Sequence, residues 1–134
     1  MEEQIPEESL EFQEMNDTSQ LTEILRSCFR IPVSEKKDCY AVINGCQYFL
    51  SDISVMGIGL ISASAHSFSS GEVLGACDLT IMGKTIEKLK GEIVHLTPQS
   101  EGRYIYGVKW IDLDETVEKL LGKIVQNLKK DFLL

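Results

Sequence analysis

The chain has 134 residues, 43% of them hydrophobic, with a formal net charge of −8 and four cysteines. That length buries a single-domain core without disulfides or metal. No apolar run is long enough to span a bilayer, and no basic stripe of the kind general nucleic-acid binding needs is present.

The charge is unevenly placed. Residues 1–23 carry eight carboxylates (Glu2, Glu3, Glu7, Glu8, Glu11, Glu14, Asp17 and Glu23) and neither Lys nor Arg. Beyond them thirteen acidic groups face thirteen basic ones, so the remainder is close to neutral. Ile5, Leu10, Phe12 and Met15 hold no sustained period. Residues 1–18 are therefore expected to form an acidic, mobile segment that a partner could order. The chain starts with acidic residues and no apolar secretory core follows, so a cytoplasmic location is expected.

From residue 19 the pattern predicts a short helix. Thr18 or Ser19 caps it, and Leu21, Ile24, Leu25 and Cys28 recur at helical spacing. Pro32 forbids its continuation. Arg26 and Arg30 stand at i and i+4, on one face of such a helix. Two adjacent guanidiniums repel unless an anion sits between them, and their forks match phosphate oxygens and stack on planar bases. The plainer alternative is that each is solvated or pairs with the acidic segment.

Strand patterns begin at Asp38. Residues 39–43 and 46–50 flank Asn44-Gly45, the strongest short hairpin signal. Asp52-Ile53-Ser54-Val55-Met56-Gly57 reads as a turn that presents a carboxylate, a hydroxyl and bare backbone. Residues 58–62 form the third strand and 63–71 a loop. Residues 72–82 and 86–96 are longer strands joined at Gly83-Lys84, and residues 98–102 are turn-like. In residues 103–111, Tyr104, Tyr106, Val108 and Trp110 alternate with their neighbours, giving a sixth strand. Residues 113–132 read as a helix capped by Asp112, with Glu115 in capping-box position. Its apolar stripe runs through Leu113, Val117, Leu120, Leu121, Ile124, Leu128 and Phe132.

Six short strands joined by tight turns imply an all-β core closed as an antiparallel barrel, or a sandwich. Cys28, Cys39, Cys46 and Cys77 form no C-x-x-C pair, and His66 and His95 add no ligand spacing. No metal site is expected, and the cysteines read as small hydrophobes. No nucleophile–base pair or nucleoside-triphosphate loop is present, so no catalytic residue is assigned.

Arg26-x-x-x-Arg30, a hairpin, and Asp52-x-Ser54-x-x-Gly57 together resemble the paired signature of the PilZ domain family. Ile58-Gly59-Leu60, Gly71-Glu72 and Tyr106-Gly107-Val108-Lys109-Trp110 add to the resemblance, which covers about residues 24–132. It implies a six-stranded antiparallel PilZ-type β-barrel with a C-terminal α-helix and a short N-terminal helix. The PilZ domain would occupy residues 19–134, with its barrel at about 37–111. It also implies a bacterial receptor for cyclic di-GMP, with Arg26, Arg30, Asp52, Ser54 and Gly57 as ligand-binding residues. The arginines would grip phosphate and lie on guanine faces, and Asp52 would accept from a guanine edge. Ser54 would add a hydroxyl, and Gly57 would let ligand approach the backbone. Leu25, where a third arginine would offer another stacking group, favours one ligand per chain. The output implied is ordering of the N-terminal segment and docking on a protein partner in motility or exopolysaccharide control. The alternative is a nucleotide-independent adaptor for motility, secretion or exopolysaccharide machinery. Neither nucleic-acid binding nor membrane insertion is expected.

Overall fold

The computed structural model describes residues 30–34 and 36–133. The acidic segment, the expected N-terminal helix, Arg26 and Cys28 lie outside the described residues. Seven strands and one long helix follow in order: β1 Ile31–Pro32, β2 Cys39–Ile43, β3 Cys46–Ile53, β4 Gly57–Ser62, β5 Val73–Ile81, β6 Lys84–Pro98, β7 Tyr104–Ile111 and α1 Glu115–Leu133. The sheet order is β1-β3-β2-β5-β6-β7-β4, and β4 pairs back onto β3. Six strands thus close an antiparallel barrel with α1 at its C-terminal end, and closure leaves none of the six with a free edge. The two-residue β1 continues the side of β3 that β2 vacates. Ile43 to Tyr40 pair with Cys46 to Phe49, whereas Ile31 and Pro32 pair with Ile53 and Asp52.

Backbone chemistry fixes the hairpins. Asn44 and Gly45 both take positive φ, 54° and 79°, as a type I′ turn requires. The second two-residue turn is Met82–Gly83, with φ of 50° and 86°. It lies one residue earlier than the expected Gly83-Lys84, because Lys84 already pairs with Ile81 in the ladder. β6 is longer than its sequence pattern implies. It is bent where Lys88 takes a φ of 61°, and there the Lys88 N–H donates to Asp78 Oδ1 at 3.0 Å.

The interior is filled by alternate residues. Cys39, Ala41 and Ile43 of β2, Ile58 and Leu60 of β4, and Tyr106, Val108 and Trp110 of β7 are all buried. Phe68 pins the 63–71 loop to the wall, its ring 5.4 Å from that of Tyr48 and 5.2 Å from that of Tyr106. The Tyr106 hydroxyl donates to the Ser64 carbonyl at 2.8 Å and accepts from the Ser67 N–H at 3.1 Å.

The helix packs on β1 with Leu121, Ile124, Val125 and Leu128 buried. Leu120, expected in the stripe, is 42% exposed, and Val125 takes the inward place. The cap also differs. Asp114, not Asp112, accepts the Val117 N–H at 2.9 Å. Asp112 instead takes a positive φ of 53° as the chain leaves β7, so it stands outside the helix it was expected to cap.

Two expectations follow. A Cβ on Gly57 would collide with the Val108 carbonyl, a backbone atom that cannot yield without parting β4 from β7. Gly57→Ala should therefore destabilise the barrel by about 2 kcal/mol, read as a fall in melting temperature of roughly 5–10 °C. Burial, aided by the Asp78 carboxylate, pushes the Cys77 thiol up to about 12. At pH 8 only about one such thiol in ten thousand is ionised, and the thiolate is the reactive form. Alkylation of native protein followed by peptide mapping should label the exposed Cys46 and spare Cys77 until denaturant is added.

Candidate functional site

Arg30 immediately precedes β1, whose Ile31 is fully buried against the barrel. The arginine is thus tethered one residue from the core rather than carried on a detached segment. Its Nε donates to Asp52 Oδ1 at 2.6 Å, and its Nη1 lies 3.5 Å from Ser54 Oγ, at the weak end of hydrogen bonding. The second carboxylate oxygen accepts the Ser51 hydroxyl at 2.6 Å. Both side chains of the ion pair remain open to water, at 45% exposed for Arg30 and 26% for Asp52. The two sequence segments expected to meet do so through Arg30, Asp52 and Ser54.

The local backbone differs from the turn expected over residues 52–57. Asp52 and Ile53 are the last residues of β3, and only Ser54 to Met56 lie between the strands. Ser54 is fully buried. Its hydroxyl accepts the Met56 N–H at 3.2 Å, and its own N–H donates to the Gly57 carbonyl at 2.9 Å. Ser54 therefore shapes the turn from beneath. The need for glycine at 57 comes from the neighbouring strand, as the Val108 clash shows.

Strand register then builds a surface that sequence spacing did not reveal. Asp52 pairs with Gly59, Gly59 with Gly107, and Gly107 with His95. A Cβ on Gly59 would meet Asp52 Oδ2 at 2.7 Å, and one on Gly107 would strike the His95 ring. Both glycines are buried, because the Ser51 and Asp52 side chains lie over Gly59 and the His95 imidazole lies over Gly107. Glycine within a strand signals close approach, but what approaches depends on pairing across four strands. Among the described residues, no three His, Cys, Asp or Glu side chains converge as a metal site would need. No helix among them is long and apolar enough to cross a membrane.

Solved structures share this architecture. The chain aligns with the PilZ domain of YcgR from Escherichia coli, solved with c-di-GMP, at 15% identity and a TM-score of 0.64. The alignment covers 77% of this chain and 90% of that one. Against the longer YcgR chain from the same organism, also with c-di-GMP, identity is 15% and the TM-score 0.62. There the match covers 77% of this chain but only 45% of YcgR, so the chain spans under half of that relative. MrkH of K. pneumonia aligns at 18% identity and a TM-score of 0.61, covering 78% of this chain and 49% of its own. No curated protein sequence matches the chain. The PilZ domain profile matches residues 24–127, from ahead of Arg26 to the last turns of α1, and the chain belongs to the PilZ domain family.

Proposed function

We propose that the chain is a receptor for cyclic di-GMP. The observation that carries this reading is the contact of Arg30 with Asp52 on the outer barrel wall, where Asp52 pairs with Gly59 of the next strand. In this reading Arg30, with Arg26 from the segment before it, takes the phosphates and covers the guanine faces. Asp52 accepts the N–H donors of one guanine. Ser54 and Gly57 hold the turn that fixes Asp52. No catalytic role is assigned to any of them.

The energetics favour exchange. An exposed ion pair such as Arg30–Asp52 contributes about 0–1 kcal/mol. Hydrogen bonds to a charged group contribute about 1.5–3 kcal/mol, so a doubly charged ligand can displace the pair. Asp52 accepts one hydrogen bond on each oxygen, and a carboxylate has room for about four. Because β1 already lies on the barrel, any ligand-driven ordering involves the residues upstream of Arg30. We assign the output to that segment, through docking on a protein partner in motility or exopolysaccharide control. The self-paired Arg30–Asp52 site also suits an adaptor that never binds nucleotide, and titration separates the two.

Calorimetry with cyclic di-GMP should show saturable binding of one nucleotide per chain. Arg30→Ala should weaken it by about 2 kcal/mol or more. Wild-type protein that gives no heat at millimolar ligand would leave the adaptor reading. The carboxylates of residues 1–23, seven of the eight within residues 1–17, provide a second test. If they screen the arginines in the free state, removing residues 1–17 should raise affinity at low salt. The gain should shrink near 0.5 M salt, where charges more than about 5 Å apart are screened. Equal affinities at low salt would exclude screening.

A further inference from the structure

Next to Asp52 the barrel wall holds a cavity of about 220 Å³, open to solvent and lined by residues far apart in sequence. Ile61 and Ile105, paired across β4 and β7, form apolar walls two residues along from the Gly59–Gly107 pair. Ser51 lines the same cavity, and its hydroxyl is bound to the Asp52 carboxylate. A Cβ on Gly59 would stand 2.7 Å from Asp52 Oδ2 and 3.2 Å from Ile105 Cγ2, so wall and carboxylate adjoin. The far rim is the β6–β7 connection, which brings Gln99, Glu101 and Arg103 to the opening. That connection is braced on itself. The Gln99 N–H donates to the Arg103 carbonyl at 2.7 Å and the Arg103 N–H to the Ser100 carbonyl at 3.3 Å. Among the described residues, neither Glu101 nor Arg103 makes an ion pair.

We propose that this cavity is the subsite for the distal guanine of the cyclic dinucleotide, with Arg103 as its specificity-determining residue. The proposal rests on the receptor reading above. Size is the first argument. Clefts for drug-sized ligands run ~300–1,000 Å³, so this one suits a single base rather than the whole dinucleotide. Chemistry is the second. Guanine carries acceptors, O6 and N7, on one edge and N–H donors on another. An arginine fork is the commonest partner of O6 and N7, and a carboxylate accepts the donors. Arg103 and Glu101 on one rim supply both. A bare phosphate would be repelled by Glu101, and adenine would set its N6 amino group against Arg103. Ile61 and Ile105 give the ring apolar contact. The two halves of one molecule are thus read by two rims of one wall, Asp52 on one and Arg103 on the other.

The test compares cyclic di-GMP with 3′,3′-cyclic GMP–AMP, in which one guanine is replaced by adenine, by calorimetry on wild type, Arg103→Ala and Arg103→Lys. Arg103 is exposed, and only its backbone holds the loop, so matched thermal melts should confirm intact folds. Wild type should prefer cyclic di-GMP by tenfold or more. Arg103→Ala should bind it about tenfold more weakly and reduce the preference to within about threefold. Arg103→Lys keeps the charge without the fork, and should lose the preference while retaining more of the affinity. If both variants keep the wild-type preference, or weaken both ligands equally, the distal subsite is overturned and the receptor reading stands. If wild type binds neither dinucleotide, both fall together.

Discussion

Closure of the barrel across β3 and β4 is the constraint from which the site follows. β3 must pair on both flanks, with β2 and then β1 on one side and β4 on the other. Asp52 consequently sits between Pro32 and Gly59 with its side chain outside the wall. Two glycines make the seam possible. Gly57 lets β4 lie against the Val108 carbonyl of β7, and Gly59 leaves the space that Ser51 and Asp52 occupy. The residues that permit closure also make the room in which the Asp52 carboxylate is held, so architecture and the placement of that group share one requirement.

The Arg30–Asp52 contact contributes little to stability and much to geometry. Both groups are partly solvated, which limits the net gain from their attraction. Their positions are nevertheless well determined. Arg30 is held by the burial of Ile31, and Asp52 by its strand and the Ser51 hydroxyl. A guanidinium placed in advance loses less freedom on binding than one on a loose tail. α1 packs on the same β1 strand that anchors the arginine, so helix and site share one support.

Much of this was legible in the sequence because local rules decided it. The Asn44-Gly45 turn, the alternation of Tyr106, Val108 and Trp110, and the helical stripe through Leu121, Ile124 and Leu128 all follow from propensity and burial. Arg30 and Asp52 were paired by motif and meet in the fold. What sequence missed was set by tertiary register. Asp52 belongs to β3 rather than to a turn, because the irregularity between Leu50 and Asp52 lets the strand run on to Ile53. The helix cap moved from Asp112 to Asp114 because the exit from β7 uses a left-handed residue. The cavity draws on positions 34, 51, 61, 99, 103 and 105, which no spacing rule connects.

Trp110 is the chain's single tryptophan. Its indole is buried, its Nε1 has no acceptor among the described residues, and its backbone N–H is bonded to the Met56 carbonyl in the turn that follows Asp52. The emission of such an indole depends on the polarity and dipoles around it. The protein therefore carries its own optical label beneath the site, and movement of that turn becomes visible as a change in colour or yield without attaching a dye.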